Sequence, residues 1–375
     1  KEKLFDKKRA EEVSALKADT ADVKSVEKKE LKVNPPTPFS TNDFLRAASN
    51  LGMQPERAIS TAESLYMSGF ISYPRTDNTV YPESLDLKVI LEKFTKSKEF
   101  GRHAKKILAQ KKLIPTKGKK TATDHPPIHP VEVVPKTKLS AQEWKVYELV
   151  VRRFLATLAP ISKVETVKAS LDYSGENFIA RGKTIVEKGW REFYPYSKAE
   201  DVILPELVQG ENVVVKDLDC KEDKTKPRPR YTPAALLKLM EELNLGTKST
   251  RASILQKLVE RGYLMGKKNF TPSEIAFGVI SALEDYAEDL TKAAMTADLE
   301  EQMDEVENGN TEKENVVEDS RKMLHRILDE LEANKLNIAH KLQNAVKATD
   351  VVGKCPECGG DLKIIRTQRG TRFIG

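Results

Sequence analysis

Apolar residues recur along this chain with two periods, and the switches between them mark its parts. Residues 1–31 are charged with scattered apolar positions (Leu4, Phe5, Val13, Leu16), which predicts a helix and then a short strand near Leu31–Val33. The break "NPPTPFST" follows, and Ser40-Thr41-Asn42 can cap a helix running through Ala48. Ala58, Ala62, Leu65 and Tyr66 repeat at helical spacing over residues 54–68, and Gly69 stops the run. Residues 83–113 read as helical and basic, and residues 115–135 as a loop. Trp144, Tyr147, Val151, Phe154 and Leu158 form one stripe of a helix over 140–158. Over 160–219 the period falls to two ("VETVKASLDYS", "ENVVVKDLD"), which predicts strands joined by Gly-bearing turns. "KEDKTKPRPR", Lys221–Arg230, is a charged, proline-broken linker. Helical spacing then returns to about Thr349. Thr232 caps and Pro233 opens a helix with the stripe Leu236, Leu237, Met240 and Leu243. A tight "NLGTKS" turn leads to a second helix, Thr250–Arg261, and "TPSE" at Thr271–Glu274 has the form of a capping box for a third. The whole reads as a multidomain α+β chain.

Composition narrows this picture only a little. A chain of 375 residues is long enough for two or three domains. Both charge signs are abundant at 32% charged residues, and the net charge of +6 fits a phosphate-rich partner without requiring one. No apolar run approaches the roughly 20 residues needed to cross a bilayer, so no membrane partner is expected. The Lys-rich start is no signal peptide, and a first residue that is Lys rather than Met suggests a chain cut from something larger. Three cysteines make no disulfide framework, so a cytoplasmic setting is the default.

The stretch "SGFISYPRTDNTVYP", Ser68–Pro82, carries the candidate chemistry. Phe70, Ile71 and Tyr73 suit a strand, and on a strand Tyr73, Arg75 and Asp77 share a face. A phenol, with an ordinary pKa of about 10, is a poor nucleophile at neutral pH. A neighbouring guanidinium favours the phenolate and can hold a phosphate by a two-pronged contact. Tyrosine with arginine is therefore the chemistry that attacks a phosphodiester and forms a phosphotyrosine ester. On spacing alone the plainer reading leads: a packed strand aromatic beside a surface ion pair.

Resemblance shifts that balance. "GFISYPRTDNTVYP" resembles the active-site signature of the type IA DNA topoisomerases, and "TDHPPIHP" (Thr123–Pro130) resembles that family's histidine-bearing segment. "PRPRYTPAALLKLMEELNLGTKSTRASILQKLVERGYL" and "MTADLEEQMDEVENG" resemble two further family segments, in the family's order. The flavour is archaeal, similar to topoisomerase I or III or to the topoisomerase half of reverse gyrase. The resemblance implies a transient single-strand DNA break through a 5′-phosphotyrosine link, strand passage and resealing without ATP, acting on single-stranded and negatively supercoiled DNA in the nucleoid. It implies Tyr73 as nucleophile, Arg75 on the scissile phosphate, His125 in proton transfer or a DNA-linked switch, and Thr76 and Asp77 as support. It implies a β-rich arch (1–51 and 159–226), a helical domain bearing the tyrosine (52–158), a helical DNA-binding base (227–349) and a partial zinc ribbon (350–375). Mg²⁺ carboxylates belong in this family to a Toprim domain preceding the region seen here, so the chain by itself is expected to be weak or inactive. The rival reading is a DNA-binding module that keeps the fold and cleaves nothing.

The remaining motifs are weaker. Helices 233–243 and 250–261 form a helix-turn-helix pattern, which is usually only a packing unit. The basic residues Arg228, Arg230, Lys248, Arg251 and Lys257 around it raise the odds of backbone contact, and the resemblance matches Arg230, Tyr231, Thr232, Ser249 and Thr250 to the stretch along a single-strand groove. Cys355-Pro-Glu-Cys358 supplies half of a tetrahedral Zn²⁺ set, so zinc is expected only in a longer protein. His125 and His129 have helical metal spacing, but Pro126 and Pro127 stand between them and argue against it. "RGKT" (Arg181–Thr184) lacks the earlier glycine of a phosphate loop, which removes the case for an ATPase. Asp217 and Asp219 read as solvated turn residues, and Cys220 as a small packed residue.

Overall fold

The computed structural model describes residues 4–121, 124–197, 201–366 and 371–375. In chain order, α1 (Lys7–Ser14) precedes β1 (Thr20–Val33), and α2 (Thr41–Asn50) and α3 (Pro55–Met67) follow. Next come α4 (Leu87–Phe94), α5 (Gly101–Leu108), α6 (Ala141–Thr157), β2 (Ser162–Tyr173), β3 (Glu176–Glu187) and β4 (Asn212–Val214). The helical half holds α7 (Pro233–Glu242), α8 (Arg251–Glu260), β5 (Leu264–Met265), β6 (Thr271–Pro272) and α9 (Glu274–Tyr286). It continues with α10 (Ala293–Glu307), α11 (Lys313–Ala333) and α12 (Lys335–Thr349), and ends in β7 (Val351–Lys354), β8 (Asp361–Arg366) and β9 (Arg372–Ile374). Packing divides the chain into two compact units. The first is Lys1–Phe39, Ser68–Ser72 and Asn78–Arg228; the second is Ser40–Met67, Tyr73–Asp77 and Pro229–Gly375.

The first unit combines a sheet and a helical core. Its sheet runs β3-β2-β1-β4, antiparallel throughout. β2 and β3 are joined by the two-residue turn Ser174-Gly175, both at positive φ (53° and 84°), the twist that a tight hairpin needs. The expected helix is present as the short α1, but the strand after it is the long β1 rather than one near Leu31–Val33. "KSVEKKELK" is charged on both faces because much of β1 is exposed, so it shows little strand alternation. α6 is the helix expected over 140–158, and a full capping box starts it: Ser140 accepts from the Glu143 amide while Glu143 accepts from the Ser140 amide. Its stripe is buried, with Phe154 fully inside and Trp144 stacked on Phe100 at 5.8 Å. Emptying such a site, as in Phe154→Ala, costs about 3–5 kcal/mol. The basic run 83–113 is not one helix but the short α4 and α5. Cys220, expected to be packed, is exposed, because it lies in the irregular charged stretch before α7.

In the second unit α2 packs on α7, α3 on α8, and α9 on α12. Phe44, Leu45 and Ala48 bury one face of α2, and Ala58, Ile59, Ala62 and Leu65 one face of α3. Thr232 caps α7 as expected, accepting from the Ala235 amide at 3.1 Å. Ser273, rather than Thr271, caps α9, and Thr271 sits in the small β5–β6 pair. α9 and α12 approach closely at Gly278, where any added Cβ would lie 2.2 Å from that of Ala345. This grouping follows packing rather than chain order. It sets α2, α3 and residues 73–77 with the helices beyond 229, since their apolar faces find partners far along the chain.

Candidate active site

Residues 73–77 are irregular backbone, not the strand their composition suggests. Only Ile71 makes a strand-like bridge, to Pro130. The physical reason lies in the prolines. Pro74 has no N–H, and Pro126, Pro127 and Pro130 remove donors from the segment alongside residues 70–72. The loop is instead pinned by Thr41, which is fully buried at the start of α2. Thr41 Oγ1 lies 2.8 Å from the Pro74 carbonyl and accepts from the Thr76 amide at 2.8 Å. The Thr41 amide in turn donates to the Thr76 carbonyl at 2.8 Å. Thr76 is itself buried, and Thr41 supplies partners for both its amide and its carbonyl.

The pinned loop presents its side chains to α3 and to the turn before α8. Tyr73 is half-buried, and its ring meets Tyr66 of α3 edge-on, 5.2 Å between centroids. Arg75 donates from Nε to Glu63 Oε1 of α3 at 2.6 Å and from Nη1 to the Ser249 carbonyl at 2.6 Å. Asp77 Oδ2 lies 3.8 Å from Lys248 Nζ. Tyr73, Arg75, Thr76, Asp77, Lys248 and Ser249 therefore gather in one place. Sequence reasoning missed Thr41, Glu63 and Tyr66. Glu63 and Tyr66 did carry a signal, since at i and i+3 they share one face of a predicted helix, directly before the motif.

The other groove candidates divide. Thr250 and Arg251 serve the helical hairpin: Thr250 Oγ1 accepts from the Thr247 amide at 2.8 Å, and the buried Arg251 donates from Nε to the Leu245 carbonyl at 3.1 Å. Gly246, at φ 64°, lets the turn close beneath them. Thr232 is occupied as a cap, whereas Arg230 and Tyr231 are exposed before α7.

His125, also exposed, belongs to the first unit, and Thr123 of its motif lies outside the described residues. His129 is buried, with Nδ1 2.7 Å from the Pro127 carbonyl, which fixes the proton on Nδ1. Desolvation holds its pKa below the usual histidine value, although the bond to Pro127 works the other way. Tyr81, the second tyrosine of the motif, is buried in the same unit between Phe154 and His129, and burial pushes its hydroxyl well above an ordinary phenol.

Cys355 and Cys358 lie at the turn between β7 and β8. The backbone N–H groups of Cys358 and Glu357 point at the Cys355 sulfur and hold its pKa below the usual thiol value. Among the described residues no three of His, Cys, Asp or Glu cluster in a way that could hold a metal ion. No helix among them is long and apolar enough to cross a membrane.

This mixed α/β fold matches a known class. A family model described as DNA topoisomerase covers residues 1–318, and the chain belongs to that family, the type IA topoisomerases. It is 46% identical to DNA topoisomerase 1 of Archaeoglobus fulgidus over 98% of this chain and 55% of that protein. It is 40% identical to DNA topoisomerase 1 of Thermoplasma acidophilum over 95% of this chain and 46% of that protein. The fold matches the structure of full-length topoisomerase I from Thermotoga maritima with a TM-score of 0.73 at 24% identity, covering 100% of this chain and 61% of that one. The chain thus spans about half the length of the curated relatives it matches.

Proposed function

We propose that this chain is the tyrosine-bearing part of a type IA DNA topoisomerase, which cuts one DNA strand, lets another pass and reseals the cut without ATP. The observation that carries this reading is the half-buried Tyr73 on a loop whose neighbouring guanidinium is already anchored by Glu63 and Ser249. Tyr73 Oη attacks the phosphorus of a backbone phosphodiester. The Oη–P bond forms, the P–O3′ bond breaks, the phenolic proton leaves to a base and the 3′ oxygen takes one up. His125 is the candidate for that proton traffic. Resealing runs the same steps in reverse, and the phosphotyrosine ester keeps the bond energy, so no nucleotide is consumed. Arg75 stabilises the charge that builds on the phosphoryl oxygens. Thr76 and Asp77 hold the loop, while Arg230, Tyr231 and Lys248 bind the strand, phosphates by charge and bases by stacking.

Residues 1–51 and 159–226 form the β-rich arch on which the tyrosine-bearing domain, residues 52–158, swings. In this reading the Mg²⁺ carboxylates belong to a Toprim domain, which is a partner of this site. Cys355 and Cys358 are half of a Zn²⁺ ribbon in a longer protein. The test is covalent trapping in the full-length protein: incubate with a single-stranded oligonucleotide and Mg²⁺, denature, and look for protein on the DNA 5′ end. Wild type traps DNA. Adduct formation that survives Tyr73→Phe overturns the reading.

A further inference from the structure

Arginine is a long side chain with many rotamers, so a catalytic role for Arg75 needs something to hold it. Its own loop does not, because residues 73–77 form no ladder. Two groups from elsewhere do: Glu63 Oε1 takes the Nε hydrogen at 2.6 Å, and the Ser249 carbonyl takes one from Nη1 at 2.6 Å. Which nitrogens they take is the informative point. A guanidinium donates in a fixed planar fork. After these two contacts, Nη1 still has a hydrogen to give and Nη2 has both of its own. A two-pronged phosphate contact uses one donor from each terminal nitrogen. A carboxylate paired with both terminal nitrogens would have to be displaced by the phosphate. Glu63 pairs through Nε instead and leaves the terminal edge open.

The anchor is also well supported. Glu63 sits on α3 at the edge of the face buried through Ala58, Ile59, Ala62 and Leu65. One turn further along the same face, Tyr66 meets the Tyr73 ring. α3 packs on α8, and the turn before α8 supplies the Ser249 carbonyl. One helix face therefore touches both members of the reacting pair.

We infer that Glu63 is a positioning residue: it fixes the Arg75 guanidinium by its Nε edge so that the terminal edge meets the scissile phosphate. This rests on the reading of Tyr73 as nucleophile and Arg75 as phosphate contact. The test uses the full-length protein and single-turnover adduct formation on a saturating oligonucleotide. Glu63→Ala lowers that rate by roughly tenfold to a hundredfold, the scale of a misplaced catalytic group, with DNA affinity little changed. Glu63→Gln, whose amide oxygen still accepts from Nε, stays within about fivefold of wild type, as expected for a neutral acceptor. In an Arg75→Ala background, Glu63→Ala costs nothing more, because its effect runs through Arg75. A purely structural glutamate would instead add its own loss there and would not be rescued by glutamine; either result overturns the inference. So does Glu63→Ala at wild-type rate, or faster, the latter marking Glu63 as a competitor of the phosphate. Tyr73→Phe run alongside separates the two readings. If it still traps DNA, the nucleophile assignment fails. If it is dead while Glu63→Ala is unimpaired, only the positioning role fails.

Discussion

Tyr73 and Tyr81 stand eight residues apart in one motif, yet their surroundings make them different chemical groups. Tyr73 is half-buried on a loop held by α2, α3 and the turn before α8, with a paired arginine two residues on. Tyr81 is 7% exposed in the helical core of the first unit, with Phe154 6.0 Å and His129 6.2 Å away between ring centres. Burial raises the pKa of Tyr81, so the phenolate a nucleophile needs is further from reach there. The motif thus contains one half-buried tyrosine, the proposed nucleophile, and one that is a packing residue. What separates them is the change of unit between Asp77 and Asn78, not any difference in residue type.

The sharpest way to break this contrast is to remove each hydroxyl. Tyr73→Phe should abolish the 5′-linked adduct, whereas Tyr81→Phe should keep it and change stability by less than about 1 kcal/mol. An adduct lost with Tyr81→Phe alone, in a protein that melts normally, would reverse the assignment. Next in size is Arg75→Ala, which should slow adduct formation by about 10²–10³-fold, the usual loss for a donor aimed at developing charge. Arg75→Lys should not restore the rate, since an ammonium lacks the fork that meets Glu63, Ser249 and a phosphate together. Stopped-flow quench on a labelled oligonucleotide measures both.

A smaller effect separates the pinned loop from the core. Thr41→Ala leaves the buried Thr76 amide without its acceptor, a loss of about 1–3 kcal/mol in chemical denaturation. Thr41→Ser keeps the oxygen and should recover most of it. A Thr41→Ala chain as stable as wild type would mean the loop is held by something else.

Many of the helices were legible because their start and stop signals are local. Ser140, Thr232 and Ser273 accept the amides that capping chemistry asks of them, at or within two residues of the places where the sequence marks a start. β1 was not legible, since its Lys and Glu residues face water on both sides and mask a period of two. The strand expected at Tyr73 failed because ladder formation depends on donors in the neighbouring segment, and there prolines stand in the way. Residue type alone left Tyr73 a packed aromatic, and the resemblance of the whole motif singled out Tyr73 and Arg75. Thr41 could not be singled out, and Glu63 only as part of one face of a helix just before the motif, because a positioning contact depends on which helix folds beside the loop. Arg251 makes the same point in reverse: it reads as a DNA contact by charge, but it is buried and bonded to the Leu245 carbonyl.

The smallest effect lies beside Tyr81. His129 is buried and neutral, its Nδ1–H given to the Pro127 carbonyl, and desolvation lowers its pKa in the folded chain. The unfolded chain keeps the ordinary value of about 6.5. Above that value neither state holds the extra proton, and this residue adds no pH dependence. As the pH falls below it, the unfolded chain binds a proton that the folded chain refuses, so stability drops. The slope reaches at most about 1.4 kcal/mol per pH unit until the depressed folded pKa is passed. Melting temperatures taken between pH 7 and pH 5 should therefore fall more steeply for wild type than for His129→Gln. Parallel curves would mean that His129 takes up its proton inside the fold. The Tyr81 pocket would then be wetter than its burial states, and the contrast with Tyr73 would narrow.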